Sequence, residues 1–352
     1  MRATEQLEWD RVARFLRDHL SARAIPGLDL SHEMQVEQFH GGHSNLTYLV
    51  RFGDVELVLR RPSLGPVAPT AHDMAREYRW LAAINPVFPL APRPYALCED
   101  VDVAGAVFYV MERRRGLVIR TEEPPQLAGH PEERRRMSGA LVDTLAALHN
   151  IDIDESNLRH LGKPAGFVAR QVKGWTERWQ RSKMDEVPEM DALAEWLVAR
   201  LPSDPARPTV VHGDFKLDNV MADPADLARL AAVFDWEMSA LGDPLVDLGI
   251  FVAYWCHITP VSGHDALNSV TSQPGWFTRD EIVERYAAKT GADRSQLRFY
   301  EAFALFKVAV VIQQIYFRYR RGQTDDPRFA HFGDRVRLLA RQAARIADLT
   351  GT

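Results

Sequence analysis

The stretch from His212 to Gly249, HGDFKLDNVMADPADLARLAAVFDWEMSALGDPLVDLG, concentrates carboxylates, a histidine, a lysine and an amide among short apolar runs and turns. Polar groups are costly to bury unless they are paired or put to use. Asp214 and Asn219 follow the apolar run Thr209-Val210-Val211, and Asp235 ends a second run, Leu230 to Phe234. Two adjacent strand ends would bring these groups together. An acid, an amide and a second acid converging on one point suit a hard divalent cation with a proton acceptor beside it.

A chain of 352 residues exceeds what one hydrophobic core usually supports, so two compact units are expected. A hydrophobic fraction of 46% and a net charge of -5 fit a soluble globular protein and argue against a nucleic-acid partner. Cys98 and Cys256 stand far apart, which supports neither a disulfide framework nor a cysteine zinc site; a reducing, cytoplasmic setting is expected. The N-terminal residues read as an amphipathic helix rather than a signal peptide. Phe299 to Phe317 is apolar but interrupted by Glu301, Lys307, Gln313 and Gln314, too polar to span a bilayer. No membrane partner is expected.

Along the chain, residues 7 to 23 carry apolar positions at helical spacing, closed by Pro26-Gly27. Extended runs follow at Met34 to Phe39, Leu46 to Phe52 and Val55 to Arg61, the pattern of an antiparallel meander. Thr70 and Asp73 suggest a capping box before a helix through Ile84. Tyr95 to Leu97 and Val107 to Glu112 complete a small sheet. Beyond it the pattern turns helical: from Pro131, over 167 to 183, 189 to 201, Asp247 to Trp255, 279 to 290, 294 to 321 and 326 to 348. The expected organisation is a first lobe over residues 1–112, a connector over 113–116 and a helical catalytic and substrate lobe over 117–352. The fold class is α+β: a small antiparallel sheet lobe with one packed helix, then a larger, mainly helical lobe.

That order of parts is the order in protein-kinase-like phosphotransferases. The motif His212-Gly213-Asp214-Phe215-Lys216-Leu217-Asp218-Asn219 resembles the catalytic loop of the aminoglycoside phosphotransferase and choline kinase-like family, and Phe234-Asp235-Trp236-Glu237 resembles its metal-binding strand end. REYRWL at Arg76 to Leu81, DWEMSALGDPLVDL and FYEAFALFKVA are similar to the subfamily found beside or fused to acyl-CoA dehydrogenases. The resemblance covers nearly the whole chain. It implies a two-lobed protein-kinase-like fold, ATP and Mg2+ as cofactors, a small-molecule hydroxyl as acceptor, and a functional link to an acyl-CoA dehydrogenase.

The resemblance also assigns roles. Phosphoryl transfer rests on aligning a hydroxyl with the γ-phosphate and neutralising charge around it. Asp214 would accept or orient the hydroxyl proton, Lys216 would hold the γ-phosphate, and Asn219 and Asp235 would hold magnesium. Gly41, Gly42, His43, Ser44 and Asn45 form a glycine-bearing hairpin suited to close backbone approach to phosphate. Arg60 stands where related kinases carry a lysine for the α and β phosphates, and Glu77 matches its helix partner. Arginine adds a planar fork there and is not an equivalent replacement. Arg61 is a second candidate for that role. Met111 and Glu112 end the strand that would meet adenine through backbone groups.

His212 is expected to support backbone rather than act as a base or zinc ligand, Asp243 to make a turn, and Asp247 to cap or pair with the loop. Asp218 and Glu237 are open between supporting and substrate-facing roles. Arg113, Arg114 and Arg115 are read either as an anion site or as a solvated run like Arg134 to Arg136. Asp235 is followed at once by GDPLVDLG, leaving no room for a peptide-binding activation segment, so a small acceptor is expected rather than a protein. A metal phosphohydrolase would need further histidine ligands. A hydroxyacyl-CoA-type acceptor is expected first, an aminoglycoside or other antibiotic second, and a non-catalytic nucleotide-binding module third.

Overall fold

The computed structural model describes residues 7–39, 45–62, 73–257 and 270–349. Two compact units are present, Met1–Gly116 with Ala231–Ser239, and Leu117–Leu230 with Ala240–Thr352. The kinase-like fold is there: a small antiparallel sheet in the first unit and a larger, mainly helical second unit.

The first unit holds α1 (Trp9–His19), β1 (Met34–Gln38), β2 (Asn45–Phe52), β3 (Val55–Pro62), α2 (Met74–Ile84), β4 (Pro94–Cys98), the single-turn α3 (Val101–Ala104) and β5 (Phe108–Glu112). The strands pair antiparallel in the order β1-β2-β3-β5-β4. Strand alternation sends Leu57 and Leu59 into a core with Val12 and Leu16 of α1, Tyr48 and Val50. Each such side chain contributes about 1.5–3 kcal/mol when fully buried. The other sheet face receives α2, which buries Met74, Glu77, Trp80, Leu81 and Ile84. Asp73 is itself the N-cap, accepting from the Arg76 amide at 2.9 Å, so the expected Thr70–Asp73 box is corrected; Thr70 lies outside the described residues.

The second unit contains β6 (Leu117–Val118), α4 (Pro131–His149), α5 (Phe167–Ser182), α6 (Pro188–Ala199), β7 (Thr209–Val211), β8 (Val220–Asp223), β9 (Asp226–Val233, whose last residues belong to the first unit), β10 (Ala240–Gly242), α7 (Leu245–Val252), α8 (Arg279–Thr290), α9 (Leu297–Arg320) and α10 (Phe332–Ile346). Pro131 preorganises the first turn of α4, and Thr278 with Glu281 forms a capping box on α8. Two small sheets, β10-β7 and β6-β8-β9, frame the loop after β7. The centre of the unit is α9, packed against α5, α6, α7 and α10. Gly249 permits the close α7–α9 approach, since a Cβ there would meet the Tyr300 carbonyl oxygen at 2.6 Å.

By length and composition α9 could cross a membrane, yet 83% of its most apolar window is buried inside the protein, which makes it a core helix. Three of its four polar interruptions have named partners: Glu301 pairs with Arg279, Gln313 donates to the Ser182 carbonyl at 2.7 Å, and Lys307 donates to the Gly213 carbonyl. The helix expected at Asp247 starts earlier, at Leu245, and after Val252 widens into a π-turn over Ala253–His257. The helix expected over 326 to 348 is a 3-10 turn, Pro327–His331, followed by α10. Arg134, read as part of a solvated run, is buried and makes a bidentate pair with Glu123 at 2.7 and 2.8 Å.

Candidate active site

In the second unit, β7 delivers the chain to His212 and Gly213, and the Leu217–Asn219 3-10 turn returns it to β8. Gly213 takes φ +83, a backbone state that glycine adopts without a Cβ penalty. Asp247 lies fully buried in the first turn of α7 and accepts from the amides of His212 at 2.5 Å and Gly213 at 2.7 Å. His149 of α4 meets the same carboxylate at 3.2 Å and the Tyr286 hydroxyl at 2.6 Å. Burial raises the Asp247 pKa, but His149 and the loop amides outweigh it and hold the group below the ordinary aspartate value. Asp243 accepts from the Leu245 amide and the Tyr300 hydroxyl, which ties α7 to α9. His212 Nδ1 accepts from the Asp214 amide at 3.2 Å, a support contact within the loop.

Asp214 is half-buried, with Asn219 Nδ2 2.9 Å from both its backbone carbonyl and its carboxylate Oδ2. Lys216 Nζ is 2.9 Å from the same Oδ2, 3.9 Å from Asp218 and 4.9 Å from the centre of the Tyr254 ring. Burial works against the ammonium, yet Asp214, Tyr254 and Asp218 hold its pKa well above the ordinary lysine value. Burial raises Asp218, with Lys216 opposing. One short loop thus brings together an acid, a cation and an amide.

In the first unit Asp235 follows β9 with φ +66, a strained setting for a residue with a side chain and one associated with functional positions. Arg60 of β3 reaches it at 2.8 Å, and also Glu77 at 3.0 Å and Glu237 at 3.7 Å. Glu77 is 1% exposed; burial pushes its carboxyl up to about 7 against the pull of Arg60. Asn45, the first residue of β2, donates to Glu237 at 3.0 Å. Gly41, Gly42, His43 and Ser44 lie outside the described residues. Met111 is buried at the end of β5, and Glu112 pairs with Arg114 at 2.9 Å while its amide donates to the Arg93 carbonyl.

Several readings from sequence are corrected. Arg61 lies on the opposite face of β3 from Arg60, fully buried, with Nη1 donating to the Ala104 carbonyl at 2.9 Å; it does not share the Arg60 cluster. The Arg113–Arg115 run is neither solvated throughout nor an open anion site. Arg113 lies over the Phe39 ring, Arg114 binds Glu112 and the Pro89 carbonyl, and Arg115 pairs with Glu56. Sequence reasoning also missed Arg76, which grips the backbone carbonyls of Glu237 and Ser239, and His149, Tyr254 and Lys307 around the loop of the second unit. Arg76 opens the quoted REYRWL motif, which was the available signal. Lys307 stood out as a charge in an apolar helix.

Asn219 in the second unit carries a neutral side-chain oxygen and Asp235 in the first unit a charged one, each a hard donor of the kind magnesium takes. Among the described residues no group of three or more His, Cys, Asp or Glu could hold a metal ion, and a transition-metal centre has no ligand set there. Asn219 turns its amide nitrogen to Asp214.

The profile of the phosphotransferase enzyme family matches residues 35–300. Acyl-CoA dehydrogenase family member 11 of Homo sapiens is 32% identical over 341 residues, spanning 96% of this chain and 42% of that protein. Family member 10 of Mus musculus is 32% identical over 358 residues, 100% of this chain and 32% of that protein. The chain therefore spans less than half the length of these curated relatives. A solved structure from Ralstonia eutropha JMP134, provisionally named an aminoglycoside phosphotransferase, is similar with a TM-score of 0.81 and 29% identity, covering 98% of this chain and 99% of that one.

Proposed function

The chain belongs to the phosphotransferase enzyme family, and on that premise we propose that it transfers the γ-phosphate of ATP, with magnesium, to a hydroxyl of a small molecule of the hydroxyacyl-CoA type. The observation that carries this reading is the Asp214 carboxylate held at 2.9 Å by both Asn219 and Lys216 on a loop fixed by Asp247. Asp214 accepts the acceptor's proton as the oxygen attacks the γ-phosphorus, whose bond to the β–γ bridging oxygen breaks to release ADP. Lys216 neutralises charge on the transferred phosphoryl group. Arg60, held by Glu77, takes the α and β phosphates, and Met111 and Glu112 meet the base through backbone groups. Asn219 and Asp235 would hold magnesium, which would supply charge neutralisation at the phosphates.

The acceptor class is supported by charge. A polycationic antibiotic favours an acidic surface, but Asp185, Glu189 and Asp191 of the second unit are engaged with Arg337, Arg341 and Lys183. Lys216 and Lys307 flank Asp214 instead. The names of the curated relatives agree, and we place the acceptor in chemistry shared with an acyl-CoA dehydrogenase. The name of the Ralstonia structure favours the second reading, an aminoglycoside acceptor.

The deciding measurement is magnesium-dependent ATP turnover against a panel of hydroxyacyl-CoAs and aminoglycosides. Transfer to a hydroxyacyl-CoA is expected, and Asp214→Asn should lower it by roughly 10² to 10⁴, the usual contribution of a positioned base. Undiminished turnover in that variant overturns the mechanism; transfer to aminoglycosides alone overturns the acceptor.

A further inference from the structure

The Lys307 side chain sits in the middle of α9, only 6% exposed, on a helix whose neighbouring positions are apolar. A buried ammonium is retained against its desolvation cost only where something compensates it. Nζ lies 5.5 Å from the centre of the Trp175 ring and donates to one acceptor, the carbonyl oxygen of Gly213. That carbonyl belongs to the peptide group joining Gly213 to Asp214. The N–H of the same peptide group is the Asp214 amide, which donates to His212 Nδ1 at 3.2 Å. Both polar ends of this peptide plane are therefore held, one by a helix 94 residues away in sequence. The preceding peptide is fixed too, through the Gly213 amide on Asp247.

Gly213 sits at φ +83, where glycine can rotate with little steric resistance. Without a hold on its carbonyl, rotation of the Gly213–Asp214 peptide would swing the Asp214 carboxylate away from the acceptor. We infer that Lys307 is a positioning residue, whose ammonium fixes the plane of the Gly213–Asp214 peptide and so aims Asp214. This rests on the reading of Asp214 as the proton acceptor. The charges facing Lys307 fit the role. Burial pushes it down to about 8, Asp214 on the loop and Asp247 on α7 pull it up, and Lys216 on the loop and Arg178 on α5 oppose them. At neutral pH it remains a charged donor, and charge-assisted hydrogen bonds are the stronger ones.

The test is acceptor-independent hydrolysis of magnesium-ATP by wild type, Lys307→Met, Lys307→Arg and Asp214→Asn, read as kcat, KM for ATP and thermal midpoint. Lys307→Met should lower kcat at least roughly tenfold with KM for ATP within about twofold, the signature of lost alignment rather than lost binding. Its thermal midpoint should stay level or rise, because a buried charge has been removed. Lys307→Arg, which keeps a charged donor, should return kcat to within about threefold of wild type. A kcat for Lys307→Met within about twofold of wild type overturns the inference, as does a loss that Lys307→Arg shares in full or that tracks a lowered midpoint. If Lys307→Met does not fold, Lys307→Gln takes its place under the same criteria. Full activity in Asp214→Asn would instead overturn the reading of Asp214. An inactive Asp214→Asn beside an undiminished Lys307→Met sinks the Lys307 inference alone.

Discussion

Asn219 donates one side-chain amide to two oxygens of one residue, the backbone carbonyl and the carboxylate Oδ2 of Asp214, each 2.9 Å away. A single side chain thereby sets both the turn that follows the acid and the direction of the acid itself. In the proposed mechanism the oxygen of this amide would hold the cation, which would couple metal site and acid through one residue.

Replacing Asn219 by Ala separates these effects from simple loss of fold, because the residue is half-buried and lies in a short turn. We expect kcat to fall by about 10²-fold, as misalignment of a reacting group does. The magnesium concentration for half-maximal turnover should rise roughly 10- to 100-fold. A magnesium titration of turnover reads both, and an unchanged titration midpoint would remove Asn219 from the metal.

The loop from His212 to Asn219 was legible because its chemistry is local: an acid and an amide one turn apart after an apolar strand need no long-range information. The supporting roles of His212, Asp243 and Asp247 followed from the same segment. Lys307 and His149 were not legible, since each acts across a separation that periodicity does not encode: a lysine inside an apolar helix reads as a flaw until the helix is seen beside Gly213. Alternation placed Arg60 and Arg61 on opposite faces of β3, but only the packed α1 side showed which arginine is enclosed. β6, β8 and β10 span two to four residues, too short for an alternation pattern to register. The three consecutive arginines at 113 to 115 were ambiguous because their partners, Glu56, Pro89 and Phe39, lie on other strands and turns of the first unit.

Arg60 is the counter-charge that allows Glu77 to be buried at 1% exposure. Arg60→Ala leaves that carboxyl without its cation and should destabilise the protein by about 3–5 kcal/mol, read as a shift of the urea midpoint. The pH dependence has a definite sign. With Glu77 raised to about 7 in the folded state, folded protein binds more protons than unfolded between the ordinary glutamate value and 7, and stability from this group falls as pH rises through that window. Losing Arg60 extends the fall to higher pH, so the deficit of the variant should widen from pH 5 to pH 8. The double variant Arg60→Met with Glu77→Met should recover much of the loss. A deficit in Arg60→Ala that is small and flat with pH would mean the pair does not govern burial of Glu77.

Asp247 holds the His212–Asn219 loop by its backbone, accepting from the amides of His212 and Gly213 and from His149 while fully buried. In Asp247→Asn one carboxylate oxygen becomes a donor facing N–H groups, so at least one buried donor loses its acceptor. The expected cost at pH 7 is about 1–3 kcal/mol for each donor left unsatisfied. The folded-state pKa of Asp247 lies below the ordinary aspartate value, so the stability it contributes is complete above that value and is lost as pH falls through the folded one. Urea midpoints of wild type and Asp247→Asn should therefore differ by a constant amount from pH 7 to about pH 5 and converge below about pH 4. The comparison cancels the titration of the other carboxylates, which both proteins share. Activity should fall with the same variant even where it is fully folded, because Gly213 and the Asp214 that follows it lose their fixed backbone. A variant that keeps wild-type kcat and a gap in midpoint that persists undiminished at low pH would show that the loop is held by Lys307 and Asn219 without Asp247.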